Sequence, residues 1–470
     1  MKRFFALSVA LALTALSLVG CGGSSKATAP QAGAVYVTGE DAPLESVVSL
    51  NLTINSITLK GAKSSPAVVS APITVDFARL VGLRAPLGFG AVPADSYSSA
   101  TFVLASPVIT SISTVTPTTL AGTFAAPTST TPQTTSVTVT FPTPMVVAAD
   151  GLAGLHMEFD IPRSVEVVAG QVTGLITPVI FAEALKATDP EGQITELTGT
   201  MAAVSTASSS FTMQGPIGAQ VTVAVNDNTT FNQGFTLPTL PTTGAFVALQ
   251  GTMRKDGSIL ASDVEVITTD SAFVSGHVLA FSPGTGAATS VTLWVDETGG
   301  GTTALLDSVQ TINIAAVTVY NLCPFNNGWF TTTNLFSSSA LLVGQRIFVG
   351  GAFVSPVFAP DLISLRRQGV YGTVVPASVT VTNDATSAGT FQISNTGLLG
   401  YALSAPLQVN TGAGTLLFQG NSSALTLTGL GTASATASVG VVARGLVLKD
   451  TVSGDAVLWA HRVREVEAIP

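Results

Sequence analysis

The chain has 470 residues, room for several domains, with only 10% of residues charged and a formal net charge of −9. An acidic balance without a basic run argues against nucleic acid as a partner. The abundance of Thr, Ser, Val, Ala and Gly, with a mean hydropathy of +0.52, argues against disorder and for β-structure.

Lys2 and Arg3 precede an uncharged apolar run, Phe4 to Val19. The run is short for a bilayer span and a cleavage-type site follows it. Leu18-Val19-Gly20-Cys21 resembles a bacterial lipobox, whose cysteine becomes the lipid-bearing first residue of the mature chain. A plain secretory signal or an uncleaved anchor is the alternative. On the lipobox reading, residues 1–20 are a signal peptide and Cys21 is the lipidation site. Residues 21–32, with Gly22-Gly23-Ser24-Ser25, are then a flexible tether. Loss of Lys2 and Arg3 takes the formal charge from −9 to −11. A diacylglycerol and an acyl chain together suffice for stable anchoring, so the membrane is a partner through the N-terminal lipid. Gly22, rather than Asp, after the cysteine resembles lipoproteins sorted to an outer membrane. The implied location is the cell envelope. After residue 20 no apolar stretch reads as a membrane helix; Leu341 to Phe358, for example, carries Gln345, Arg346 and three glycines. With Cys21 lipidated, Cys323 stands alone and no intramolecular disulfide is possible. It is either a buried small hydrophobe or a reactive thiol.

Residues 33–188 read as one β-sandwich. Ala34 to Thr38 is a strand and Gly39 to Pro43 a turn. In Val47 to Leu59, Val48, Leu50, Leu52 and Ile54 alternate with Ser49, Asn51, Thr53 and Asn55, the pattern of a half-buried strand. Ile73 to Phe77, Ser99 to Leu104, Val137 to Phe141, Leu155 to Ile161 and Leu175 to Phe181 continue the series. Ser106 to Ser136, rich in Thr, Ser and Pro, reads as a long mobile loop. About seven short strands separated by turns suggest a sandwich. The order of Val35-Tyr36-Val37-Thr38-Gly39-Glu40-Asp41-Ala42-Pro43, Thr74-Val75-Asp76-Phe77, Val92-Pro93-Ala94-Asp95-Ser96-Tyr97, Met157 to Val165 and Ile176 to Ile180 resembles an uncharacterised domain family at the N-terminus of bacterial lipoproteins. This chain has Ala94-Asp95 where that family prefers Ala-Gly, and Glu158 where it prefers Asp. The family has no established activity to carry over.

Asp189-Pro190-Glu191-Gly192 marks a polar link. Three units follow, over 199–268, 274–368 and 369–468. They open on Gly199-Thr200-Met201, Gly276-His277-Val278 and Gly372-Thr373-Val374. Each continues into an aromatic-containing strand, an alternating strand and a Gly-containing apolar strand. Each closes on a further strand: Leu260 to Val264, Pro360 to Leu365 and Leu458 to Val463. Lys255-Asp256-Gly257-Ser258 is a tight turn. Units of this length can close small β-barrels, and they resemble a second uncharacterised domain found in bacterial lipoproteins. Gly299 to Thr311 and Asn321 to Ser339 read as insertions in the second unit. The fold class is therefore all-β: one sandwich and about three small barrels.

Several constellations invite a site. Glu158 and Asp160 share a strand face and could cut a glycosidic bond, or bind calcium with Glu40 and Asp41. The competing reading pairs Asp160 with Arg163 or with turn amides. His156, His277 and His461 show no metal-ligand spacing and read as surface or strand residues. No nucleophile elbow, P-loop or dinucleotide fingerprint occurs. Trp294 and Trp459 read as packing residues, and Trp329, inside Phe325 to Phe330, as a sugar-stacking candidate. Catalytic, cofactor-binding and metal residues are thus expected to be none. The expected function is a non-enzymatic, lipid-anchored envelope protein with a binding or structural role, its partner an envelope protein or a glycan. A carbohydrate-binding or adhesin-like surface protein is the alternative, and a hydrolase stands third.

Overall fold

A computed structural model describes residues 32–466, apart from 43–45, 81–83, 114, 170, 187–191, 216–217, 219, 270–271, 324–335, 355–356, 395–405, 420–422 and 451. Cys21 and its lipobox, Asp189-Pro190-Glu191 and Trp329 lie outside the described residues.

The fold is all-β. In the N-terminal part, β1 (Ala32–Ala42), β2 (Val47–Gly61), β3 (Ala85–Pro93), β4 (Asp95–Ser113), β5 (Gln133–Val147), β6 (Leu152–Asp160) and β7 (Ile180–Leu185) form two sheets. One runs β7-β6-β1-β3, with β1 and β6 parallel; the other is built on β2-β4-β5 with short strands at its margins. Alternation turns Val35, Val37, Leu155, Met157 and Phe159 of the first sheet onto Leu50, Leu52, Ile54, Phe102 and Leu104 of the second, in one core. A register shift after Ile54 changes the phase of β2, which keeps Ile57 and Leu59 in that core. Val48 instead packs with Ile112 against Leu279 and Trp294 of a later unit.

The stretch 106–136 is not a loop. β4 runs through to Ser113, and Thr116–Ala121 pairs back on it, Ile109 opposite Leu120. Thr-rich sequence fits a pleated surface as well as a loop, and five of the six residues of Thr116–Ala121 are exposed, so no buried periodicity advertises the strand.

Three more sheets follow. The first unit comprises β8 (Ile194–Ser205), β9 (Ser210–Gln214), β10 (Gln220–Ala224), β11 (Phe246–Met253) and β12 (Ile259–Thr268). Their order is β10-β9-β8-β11-β12, and a parallel β10–β12 pairing closes the barrel. The unit begins at Ile194, upstream of the expected residue 199. The second unit holds β13 (Ala272–Ser282), β14 (Ser290–Gly299), β15 (Ser308–Asn313), β16 (Val319–Leu322), β17 (Arg346–Val354) and β18 (Val357–Leu365), ordered β15-β14-β13-β17-β18-β16. Most of the expected insertion 299–311 is therefore β14, a 3-10 turn and β15. Among the described residues, β16 rather than β15 pairs with β18, so this barrel is not closed by a ladder. The third unit, β19 (Gln368–Val374), β20 (Ala388–Ser394), β21 (Leu407–Thr411), β22 (Gly440–Lys449) and β23 (Ala456–Val466), is closed by β21, which pairs with both β20 and β23. The glycines that open the units have a steric cause. A Cβ at Gly199, Gly276 or Gly372 would collide with the carbonyl oxygen of Gln214, Trp294 or Ser394 on the neighbouring strand.

At the end of β6, Asp160 caps the helical turn Ile161–Ser164. Its Oδ1 accepts from the Arg163 amide at 3.0 Å, and its Oδ2 lies 3.5 Å from Arg163 Nη1. Asp160→Ala should cost about 1–2 kcal/mol in urea unfolding at unchanged m-value, and Asp160→Asn, which keeps the acceptor, less. Equal losses for the two variants would count against the cap.

Candidate functional site

The first sheet of the sandwich has a polar outer face. Strand register places Thr38, His156 and Glu183 in one row across β1, β6 and β7, and Glu40, Glu158 and Phe181 in the next. Like charges opposite one another, as Glu40 and Glu158 are, destabilise a sheet exposed to water. This face is not exposed: Glu40 is 0% and Glu158 5% accessible. The third unit covers it. On β22 and β23, Arg444 and Arg462 are direct cross-strand partners, an equally unfavourable pair on its own. Set face to face, the two surfaces neutralise each other. Arg444 meets Glu40, Arg464 meets Glu158, and Arg84 Nη2 reaches Glu40 Oε2 at 3.1 Å. Burial lowers Arg444 and Arg464 to about 9, still above neutral pH, so both guanidinium groups stay charged.

Two further clusters join the modules. Arg366, just after β18, binds Glu196 of β8 at 2.9 Å and Glu265 of β12 at 3.0 Å. Cys323 lies against Glu196, Sγ to Oε1 3.6 Å, and burial pushes its thiol up to about 12. This is a buried, protonated cysteine, not a reactive one. In the third cluster Asp296 and Glu297 are adjacent, yet both are buried, because a register shift after Ser275 inserts an extra residue into β14. Glu297 Oε1 accepts from Thr198 of β8 at 3.0 Å. Arg79 of the sandwich and Arg346 of β17 approach the same carboxylate at 3.9 and 3.8 Å.

The four carboxylates weighed in the sequence do not form one site. Glu40 and Glu158 enter the ionic layer, Asp41 lies opposite Phe159 on the other face, and Asp160 caps a turn. Among the described residues no three His, Cys, Asp or Glu side chains are placed to hold a metal ion. All three histidines are strand residues, and burial holds each imidazole below its ordinary range. His156 bonds Thr38 Oγ1 through Nδ1 at 3.1 Å, and burial, with Arg84, Arg464 and Arg462, holds it well below the ordinary imidazole range. His277 stands 3.6 Å from Asp296 and is lowered by burial to about 4. His461 is lowered well below its usual value by burial, Arg367 and Arg444. Trp294 is a packing residue between modules, and Trp459 packs against the core of the second unit.

A cleft of about 160 Å³ opens at the edge of the ionic layer, lined by His156, Glu158, Phe181, Glu183 and Arg464 among others. Burial, opposed by Arg84 and Arg462, pushes Glu183 up to about 7. Sequence reading missed Glu183 and the arginines, although Arg462-Val463-Arg464 alternates charge with an apolar residue as a half-buried strand does.

Residues 32–178 match the family described as Domain of unknown function (DUF4382), and residues 191–265 match Domain of unknown function (DUF5666). Two uncharacterised domains thus lie in tandem. They correspond to most of the sandwich and to the first unit. No curated protein matches the chain. Among solved structures, drosophila Unr CSD456 is similar at 9% identity over 58% of this chain and 98% of that one, with a TM-score of 0.13, a level that carries no argument.

Two outcomes follow from the buried charges. Arg366→Met leaves Glu196 and Glu265 buried without their cation and should cost about 3–5 kcal/mol in chemical denaturation. Adding Glu196→Gln and Glu265→Gln should restore much of the loss. Persistence of the full loss in the triple variant would contradict the ion-pair account. For Glu183, the folded pKa lies above the unfolded one, so the folded state keeps a proton that the unfolded chain has released. Its contribution to stability is greatest below about pH 4.5 and falls as pH rises to about 7, by on the order of 2 kcal/mol. Glu183→Gln should flatten this part of the stability–pH curve and stabilise the protein at pH 8; an unchanged curve would remove Glu183 as its source.

Proposed function

We propose that this is a non-enzymatic, lipid-anchored protein of the cell envelope, held at the outer membrane by Cys21, whose modules form one binding or structural scaffold. In this reading the second and third units are further copies of the domain matched by residues 191–265. The supporting observation is the use to which the charged side chains are put. The carboxylates of Glu40, Glu158, Glu196, Glu265 and Glu297 each face an arginine of another module. Such an arrangement fixes the relative placement of modules and leaves these acids committed to partners within the chain, which suits presentation of a surface better than turnover of a substrate. The shared strand order of the first and third units, each closed by a parallel third-to-last-strand pairing, supports their common origin.

Cys21→Ser should move the protein from the membrane fraction to the soluble envelope fraction and abolish incorporation of a fatty-acid probe. Retention of both in the variant would defeat the anchoring proposal.

A further inference from the structure

A groove of about 410 Å³ lies between the sandwich and the first unit, lined mainly by residues 86–89, 220–222 and 256–259. The continuity of these runs is informative. A strand seen face-on contributes every second residue to a wall, whereas one seen edge-on contributes consecutive residues. β10 is therefore seen largely along its edge. It pairs with β9 over all five residues, from Gln220 opposite Gln214 to Ala224 opposite Ser210. On its other side, among the described residues, it meets β12 at Val223 and Ala224. Among the described residues, the backbone of Gln220 to Thr222 has no ladder partner on that side. The equivalent seam of the third unit is zipped further, by three pairs from Gln408 to Asn410.

The opposite wall is β3, at the edge of its sheet, which among the described residues pairs with β1 alone. Pro86 has no N–H to offer and Leu87 sits at a register shift, so β3 bounds the groove rather than pairing across it. Leu87, Met253 and Ile259 give an apolar floor, and Phe89 is 39% exposed. At the rim Asp256 accepts from the Ser258 hydroxyl and amide, which hold its carboxyl below the usual range and keep it ionised.

We propose that this groove is a strand-addition site, in which an extended peptide of an envelope partner pairs with the free edge of β10. The edge asks for main-chain N–H and C=O groups, and the floor for β-branched or apolar side chains at alternate positions; at the rim the exposed Asp256 carboxylate, which Arg254 approaches only to 3.8 Å, can accept from a lysine or arginine of the peptide. Three free residues span about 10 Å, enough for a short pairing. The inference deepens the scaffold reading by naming its kind of partner. It is measured on purified protein, so its failure is separate from any failure of membrane anchoring.

The test uses the full chain in detergent and a fluorescein-labelled peptide, Lys-Val-Thr-Val-Thr-Val-Lys, beside the same peptide N-methylated at alternate amides. Saturable binding is expected for the first, and binding weaker by about tenfold or more for the second, the loss of one or two main-chain bonds. Amides of 220–222 should gain protection from hydrogen exchange when the unmodified peptide is added, and Asp256→Lys should weaken it several-fold. Val221→Pro should abolish binding; because that variant can disturb the barrel, the methylated peptide carries the decision on unaltered protein. Equal binding of the two peptides, or no saturable binding, would overturn the proposal. Protection of 220–222 by chitotetraose and not by the peptide would make the groove a glycan site instead.

Discussion

The acidic outer face of the β7-β6-β1-β3 sheet and the arginine face of β22 and β23 hold each other out of water. Neither face is favourable alone. Glu40 sits opposite Glu158 with Arg84 of its own module as a close cation, Arg444 sits opposite Arg462, and the contacts of Arg444 with Glu40 and of Arg464 with Glu158 join the two rows. Removing such charges from water costs several kcal/mol per ion, offset only where geometry supplies the opposite charge. The consequence is positional. A slip of the third unit along the sandwich would leave carboxylates or guanidinium groups buried without partners, so the tolerated arrangements are few.

Apolar packing supplies the attraction that the ionic layers then orient. The sandwich and the first unit share one hydrophobic cluster. Val48 and Ile112 of the sandwich close on Leu279 and Trp294 of the second unit. Leu446 and Leu448 of the third unit join the core of the second, where Phe246, Phe273 and Phe348 lie with ring centroids 4.0 to 5.2 Å apart. Every module thus touches another through both oil and charge. This explains how a chain so poor in charged residues places so many of them at buried boundaries. It also leaves the groove beside β10 as a place where main-chain groups are on offer.

The sequence by itself determined what depends on neighbours in the chain. Alternation in Val47 to Leu59 marked a strand, and the recurrence of Gly199, Gly276 and Gly372 marked the openings of three units. Cys323, alone once Cys21 is set aside, was open to burial or to reactivity, and Asp160 three residues before Arg163 suggested a pairing with that arginine or with turn amides. Resemblance to two uncharacterised domains was also legible, because it rests on residues in order. Where composition replaced periodicity the reading failed. Thr116–Ala121 is exposed on nearly every residue, and β15 carries alternation too weak to separate from a polar insertion.

Only the tertiary structure decided the partners of the charges. Glu158 and Arg464 meet across 306 residues of chain, and Arg366 and Glu196 across 170. Nothing in the spacing of a carboxylate along its own strand says whether water, a turn amide or a distant guanidinium will face it. The histidines show the same limit, since their protonation is set by burial and by arginines from other modules. The free edge of β10 is likewise invisible in Gln220 to Ala224, because it is defined by where β12 stops pairing. Local sequence encodes the direction of a side chain through the period of its strand; what waits there is encoded by the closure of sheets from distant segments.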